Sequence, residues 1–219
     1  TARNGFPRRF FVPVVVSAAR SGRNFLYFAR AGMQSASGPA VNSVLMEAPV
    51  IPTRRERLEG GLVGLLVGDA LGVPYEFRHP SELPAADLIE MRPPPGFFSH
   101  HGSVPPGTWS DDGSQALCLL SSLWECGGLD VDDFGQRLIA WMGGGYMAVD
   151  SRPFDVGSHE SEALTNFKAG IPASRSGLTG ENSNGPGSLM RVLPLTLLWK
   201  GDDASLADAA HRQSSITHA

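Results

Sequence analysis

The chain has 219 residues, of which 42% are hydrophobic and 18% charged. That composition suits one sizeable soluble domain, or one domain with an appendage. The net charge of −4 leaves no electrostatic footprint for nucleic acid or an anionic membrane surface.

Residues 1–53 read differently from the rest. From Thr1 to Met46 there are six Arg and no Asp or Glu. The apolar run Phe10–Val16 is too short to span a bilayer. An Arg-rich, Ser-containing, acid-free stretch has the composition of an organelle transit peptide. A disordered extension fits as well, as does upstream sequence joined to a gene whose start is Met33 or Met46. A helical domain is expected over residues 54–219. It opens on a helix from Arg54 that carries Gly60, Gly64, Gly68 and Gly72, one stripe at four-residue spacing. Each Gly costs a helix about 1 kcal/mol against Ala, so the stripe predicts that another backbone packs tightly on it. Residues 78–108, rich in Pro, Gly, His and Ser, read as a long loop. Apolar periodicity then predicts helices over 112–125, 131–142, 158–168, 188–199 and 204–214. Gly127 ends the first of these, Asp130 caps the second and Gly143–Gly145 stop it. Residues 171–187 form a second Gly/Ser/Asn/Pro loop. No segment alternates with period two for long, so the fold class is all-α. Cys118 and Cys126 lie eight apart on one helix, about 12 Å by helical rise. That is too far for a disulfide, and both are expected to be reduced core thiols in a cytoplasmic protein.

Five segments carry polar residues that could do chemistry. Ser110-Asp111-Asp112 opens a helix. One of the three is explained by helix capping. Adjacent carboxylates repel, and a hydroxyl with two carboxylates is a hard-oxygen set suited to Mg²⁺, Mn²⁺ or Ca²⁺. Glu76 follows the glycine-rich helix in apolar surroundings that would raise its pKa unless it is paired; otherwise it is a surface Glu beside a Pro turn. Asp155 precedes Gly157 and Ser158, with turn formation and N-capping as the plain alternatives. The loop Asn184-Gly185-Pro186-Gly187-Ser188 enters a helix and is either an anion cradle or a flexible connection. His218 closes the series; a lone His is more often a surface or core group than a ligand.

In order, these segments resemble the ADP-ribosylglycohydrolase family, which includes the dinitrogenase reductase-activating glycohydrolases. The matching stretches are Gly64–Gly72 with Glu76, Trp109–Asp112, Phe154–Gly157, Gly187–Leu195 and Thr217-His218, within a resemblance running from about Arg57 to Ala219. It implies a single orthogonal helical bundle, incomplete at the C-terminus, and a hydrolase that cleaves an N- or O-glycosidic bond of ADP-ribose on a modified protein or small molecule. It also implies a pair of Mg²⁺ or Mn²⁺ ions. Ser110, Asp111, Asp112 and Glu76 would be the metal ligands, with Asp155 and Glu76 catalytic. Asn184, Gly185, Gly187, Ser188 and His218 would bind the nucleotide part of the substrate. The sequence departs from the family pattern at Ser110 (usually Thr), Gly113 (a hydroxyl residue), Ser158 (Asn) and Pro186 (Asn). The family's second acidic cluster, of Asp-x-Asp-Thr type, has no counterpart. A non-catalytic ADP-ribose-binding or structural member of the same fold, inactive through truncation, is the main alternative. A helical metal-dependent phosphohydrolase would want an adjacent His-Asp pair, and the chain has none.

Overall fold

The computed structural model describes residues 51–219; the reading of residues 1–53 as an extension falls almost wholly outside them. Eight α-helices occur among the described residues, with no strand. They are α1 (Arg54–Gly72), α2 (Asp111–Cys126), α3 (Val131–Gly144), α4 (Ser158–Lys168), α5 (Ala173–Ser176), α6 (Gly187–Met190), α7 (Leu193–Leu198) and α8 (Asp203–Ser214). The all-α expectation holds.

Local chemistry sets the ends. Thr53 starts α1 with a reciprocal cap: its hydroxyl accepts from the Glu56 N–H at 3.2 Å, and the Glu56 carboxylate accepts from the Thr53 N–H at 2.8 Å. Asp130 caps α3 by accepting from the Asp132 and Asp133 N–H groups. Gly127 and Gly145 end α2 and α3 in the left-handed conformation that glycine adopts without strain. The helix expected over 188–199 is broken into α6 and α7. Pro194 lies in the first turn of α7, and its ring would clash with the carbonyl of Met190 in a continuous helix.

The core lies where α2 and α3 cross, with Cys118, Leu119 and Leu123 against Phe134, Leu138 and Trp141. Leu164 and Phe167 of α4, Leu195 of α7 and Ala209 of α8 complete it. Cys118 is buried as expected, but Cys126 is exposed, because it lies in the last turn of α2 beyond the covered stretch.

The glycine stripe is not a packing surface among the described residues. A Cβ added at Gly60, Gly64, Gly68 or Gly72 would meet nothing within 4 Å. Close approach occurs elsewhere. At Gly113 a Cβ would lie 2.8 Å from both the Asp69 carboxylate and Leu66, and at Gly135 it would lie 2.5 Å from the Phe167 ring. Thus Gly113 on α2 lets α1 come near, and Gly135 on α3 admits α4. The C-terminal segment runs beside Leu178 through a parallel bridge to His218, held by Leu178 N–H to Thr217 O at 3.3 Å and Ala219 N–H to Leu178 O at 3.2 Å.

Candidate functional site

Asp69, in the last turn of α1, grips the start of α2. Its carboxylate accepts from the Ser110 N–H at 3.0 Å, the Ser110 hydroxyl at 2.9 Å and the Gly113 N–H at 2.7 Å. Ser110 is also the N-cap of α2, accepting from the Asp112 N–H at 3.3 Å. The capping interpretation of Ser110 is therefore met, and one hydroxyl lone pair remains for another partner. Asp111 is buried, at 6% exposure, and Asp112 is half-buried.

These acids perturb one another. Burial first, then Asp112, Glu160 and Asp155, push Asp111 up to about 8. Burial followed by Asp69, Asp155 and Glu160 raises Asp112 to about 6. Glu76, in the turn after the 3-10 segment Val73–Tyr75, is raised to about 7 by burial, then by Asp155, Asp69 and Asp112. A carboxylate oxygen of Asp155 lies within 4.8 Å of one of Glu76. Among the described residues no Lys or Arg forms an ion pair with Asp111, Asp112, Asp155 or Glu76. Glu76 feels Asp155 and Asp112, and Asp111 feels Asp112 and Asp155, with no Lys or Arg among the described residues to offset them. Hard oxygen donors crowded this closely fit a divalent cation.

The loop over this cluster supplies His101, which sequence reasoning missed. Its Nε2 lies 2.9 Å from Oε2 of Glu76. One ligand atom each of Glu76, His101 and Asp155 lie within 4.8 Å of one another. Phe154 packs edge-on to the His101 ring at 5.3 Å, and Phe77 lies 5.7 Å away. Phe77 and Asp155 both have positive φ, 60° and 56°. Such backbone costs a non-glycine residue on the order of 1–3 kcal/mol, and here it falls on the rim of the acid cluster.

A second polar group lies behind it. Arg191 is fully buried. Its guanidinium donates to the Gln115 side chain at 2.8 Å, the Gln213 side chain and carbonyl at 3.0 Å each, and the Thr217 hydroxyl at 2.8 Å. Its face rests 5.3 Å from the centre of the Phe134 ring. Gln115 also donates to Glu160 at 2.9 Å. Glu160 in turn faces Gly187, where an added Cβ would strike its Oε1 and lie 2.8 Å from Cε1 of His218. His218 Nε2 lies 3.6 Å from the Cβ position of Gly185. The structure thus brings His218 to the Gly185–Gly187 loop. Asn184 and Gly185 are exposed and Ser188 is partly covered; the Ser188 carbonyl accepts from Gln213 at 2.9 Å. Ser158, offered above as a possible N-cap, is the first residue inside α4, and Gly157 is the cap. The loop enters a helix of only four residues, so any anion there would depend on loop N–H groups rather than on a helix dipole.

Glu160 and Gln115 also went unassigned from sequence, yet a signal existed. Glu160 shares an i, i+3, i+4, i+7 face with Ala163, Leu164 and Phe167, all buried. Gln115 shares one with Cys118, Leu119 and Ser122. A polar residue on an apolar face is either paired or functional.

Comparison with known proteins gives a consistent result. The ADP-ribosylglycohydrolase family profile matches residues 51–219. An ADP-ribosylarginine hydrolase, Tri1, from Serratia proteamaculans is 33% identical over 165 residues, covering 74% of this chain and 42% of the relative. An ADP-ribosyl-[dinitrogen reductase] glycohydrolase from Rhodospirillum rubrum is 30% identical over 167 residues, covering 76% and 53%. A solved chain described as an ADP-ribosylglycohydrolase-related protein complex superposes with a TM-score of 0.59 at 33% identity, covering 76% of this chain and 50% of that one. The chain spans about half the length of the curated relatives it matches.

Proposed function

Because the chain belongs to the ADP-ribosylglycohydrolase family, we propose that it carries the acid-lined part of a site that hydrolyses the glycosidic bond between ADP-ribose and an acceptor. The observation that carries this reading is the acid cluster of buried Asp111 with half-buried Asp112 and Glu76, which no Lys or Arg neutralises among the described residues. Carboxylates crowded without a cationic side chain are stabilised by a divalent cation, and Mg²⁺ or Mn²⁺ matches their oxygen chemistry. Ser110, Asp111, Asp112 and Glu76 would hold the metal pair. When bound, such ions supply Lewis acidity, orienting ribose hydroxyls and lowering the pKa of a water.

The chain's own residues contribute the rest. Asp69 fixes the backbone from which Ser110 and Asp112 project, so the ligand set is preorganised. In the metal-free site burial and the neighbouring acids raise Glu76 to about 7, and a cation that displaced its proton would relieve that cost. Asp155 stands beside it and is the candidate to meet the ribose hydroxyls, directly or through a bound cation. The Gly185–Ser188 loop, with Asn184, would hold the diphosphate or distal ribose by backbone and amide donors. His218 would donate from Nε2 to the same group. The named activities of the relatives make an N-glycosidic bond to arginine the first substrate to try. A non-catalytic ADP-ribose-binding role on the same scaffold is the competing reading, favoured by Pro186, which lacks the N–H and amide expected there.

The test is direct. Mn²⁺ or Mg²⁺ is titrated into the protein by calorimetry, and ADP-ribose release from ADP-ribosyl-arginine is followed. Wild type binds metal, and Asp111→Ala loses binding and turnover together. Metal binding with no turnover, together with retained ADP-ribose affinity, assigns the non-catalytic role. No metal binding, with Asp111→Ala indistinguishable from wild type, overturns both the hydrolase and the cation site.

A further inference from the structure

Two buried polar atoms at the rim of the acid cluster are unexplained by hydrogen bonding. Oε2 of Glu76 and Nε2 of His101 are each buried, and neither has a hydrogen-bond partner among the described residues. They nevertheless lie 2.9 Å apart. The distance is that of an ion pair, yet no hydrogen bond joins them. Leaving two such atoms desolvated and unmated is costly, and proteins avoid it unless something else satisfies them.

A shared cation resolves the geometry. Neighbouring ligands on one six-coordinate ion with bonds of about 2.1 Å lie about 3 Å apart. Each then aims at the ion, off the line between them. The third donor is at hand, since a carboxylate oxygen of Asp155 completes a set whose members all lie within 4.8 Å of one another. That is close to the span of a single coordination sphere.

We propose that His101 is a nitrogen ligand to a divalent cation, held jointly with Glu76 and Asp155, so that the site is a mixed nitrogen–oxygen one rather than purely oxygen-lined. This rests on the cation reading of the acid cluster given above. The residue is presented firmly: Phe154 and Phe77 pack on the ring, and the His101 backbone N–H donates to the Ser99 hydroxyl at 3.1 Å. Imidazole suits Fe²⁺ and Zn²⁺, and Mn²⁺ accepts it more readily than Mg²⁺, which keeps to oxygen and water. The consequence is a selectivity that carboxylates alone would not give. Because His101 comes from the 78–108 loop while Glu76 follows α1 and Asp155 precedes α4, the same ion would tie three separate segments together.

Mn²⁺ is the probe, because its unpaired electrons report bound nitrogen directly. Pulsed electron paramagnetic resonance of the Mn²⁺-loaded protein is expected to show coupling to one imidazole nitrogen, replaced by a ¹⁵N signature when histidine is ¹⁵N-labelled. His101→Phe keeps an aromatic ring against Phe154 and should lose the coupling. It should also weaken Mn²⁺ about tenfold or more in calorimetry while changing Mg²⁺ affinity much less. His100→Phe, at the exposed neighbour, should keep both. If His101→Phe fails to fold, His101→Gln and the labelled wild type decide the same point. Mn²⁺ bound without nitrogen coupling overturns the His101 assignment and leaves the carboxylate site standing. Coupling that persists in His101→Phe overturns it too. No Mn²⁺ binding at all overturns this proposal together with the reading beneath it.

Discussion

At the residue scale, the start of α2 depends on a carboxylate that belongs to another helix. Asp69 satisfies the N–H groups of Ser110 and Gly113 and orients the Ser110 hydroxyl, so replacing it strips three bonds from one helix end at once. Asp69→Ala is expected to lower stability by about 1–3 kcal/mol, the cost of buried donors left unmated, measured as a shift in the urea midpoint. The cluster beside it has a pH signature whose sign follows from linkage. Burial and neighbouring acids raise Asp111 to about 8, Glu76 to about 7 and Asp112 to about 6, all above the roughly 4 of an unfolded carboxyl. The folded state therefore holds protons that the unfolded state has lost. The stability contributed is fully present below about pH 4 and drains away as pH rises through 6 to 8. The metal-free protein should melt progressively lower from pH 5 to pH 8. Mn²⁺ should recover most of that loss at pH 8, and Asp111→Asn should flatten the slope. A metal-free melting temperature that rises over this range would contradict the raised pKa values.

At the element scale, glycines at similar spacing have opposite meanings. Gly64 meets nothing within 4 Å, whereas Gly113 is pressed between Asp69, Leu66 and Trp109. Gly64→Ala should stabilise α1 by about 1 kcal/mol, because helix propensity is all that changes. Gly113→Ala should destabilise by about 1–3 kcal/mol, since a methyl there must displace Asp69 or Leu66. Thermal melts of the two variants check the contrast in one experiment. This is also where the sequence was least readable. A four-residue glycine period shows which side of a helix is small, not what covers it, and the expected close backbone contact at Gly60–Gly72 is missing among the described residues. A helix whose ends carry their own chemistry was legible, α3 between Asp130 and its glycines, while α4 over Ser158–Lys168 was legible from its apolar face. The break between α6 and α7 was encoded by Pro194, but the apolar periodicity on both sides hid it. Asp111 and Asp112 were legible because adjacent like charges need a reason. His101 was not, because it reaches Glu76 only through the path of a loop that has no periodicity to read.

At the scale of the whole molecule, Arg191 joins parts of the chain that are far apart in sequence. It donates to Gln115 of α2, to Gln213 of α8 and to Thr217 beside the C-terminal residues. Replacing it with Ala would leave Gln115, Gln213 and Thr217 without a donor in a sealed interior, a loss on the order of 3–5 kcal/mol. A finer consequence concerns His218. A guanidinium has only hydrogens to give, so the Thr217 hydroxyl accepts from Arg191 and keeps its own hydrogen to give to Nδ1 of His218, 2.8 Å away, the direction we assign. Burial, then the Arg191 charge, lowers the pKa of His218, so the imidazole is neutral at pH 7 and its one proton is assigned to Nε2. That nitrogen is the one near Gly185, which makes His218 a donor toward the glycine-rich loop. Thr217→Val removes the relay and little else, since the Arg191 guanidinium keeps the Gln213 carbonyl at 3.0 Å. The variant should fold within about 1–2 kcal/mol of wild type while losing its preference between the two tautomers. Long-range ¹H–¹⁵N spectra of ¹⁵N-histidine-labelled protein would show wild-type His218 with a protonated Nε2 and bare Nδ1, and the variant with the two nitrogens drawn together. ADP-ribose affinity should fall with that loss. A wild-type spectrum with the proton on Nδ1 would mean that the chain from Arg191 runs no further than Thr217.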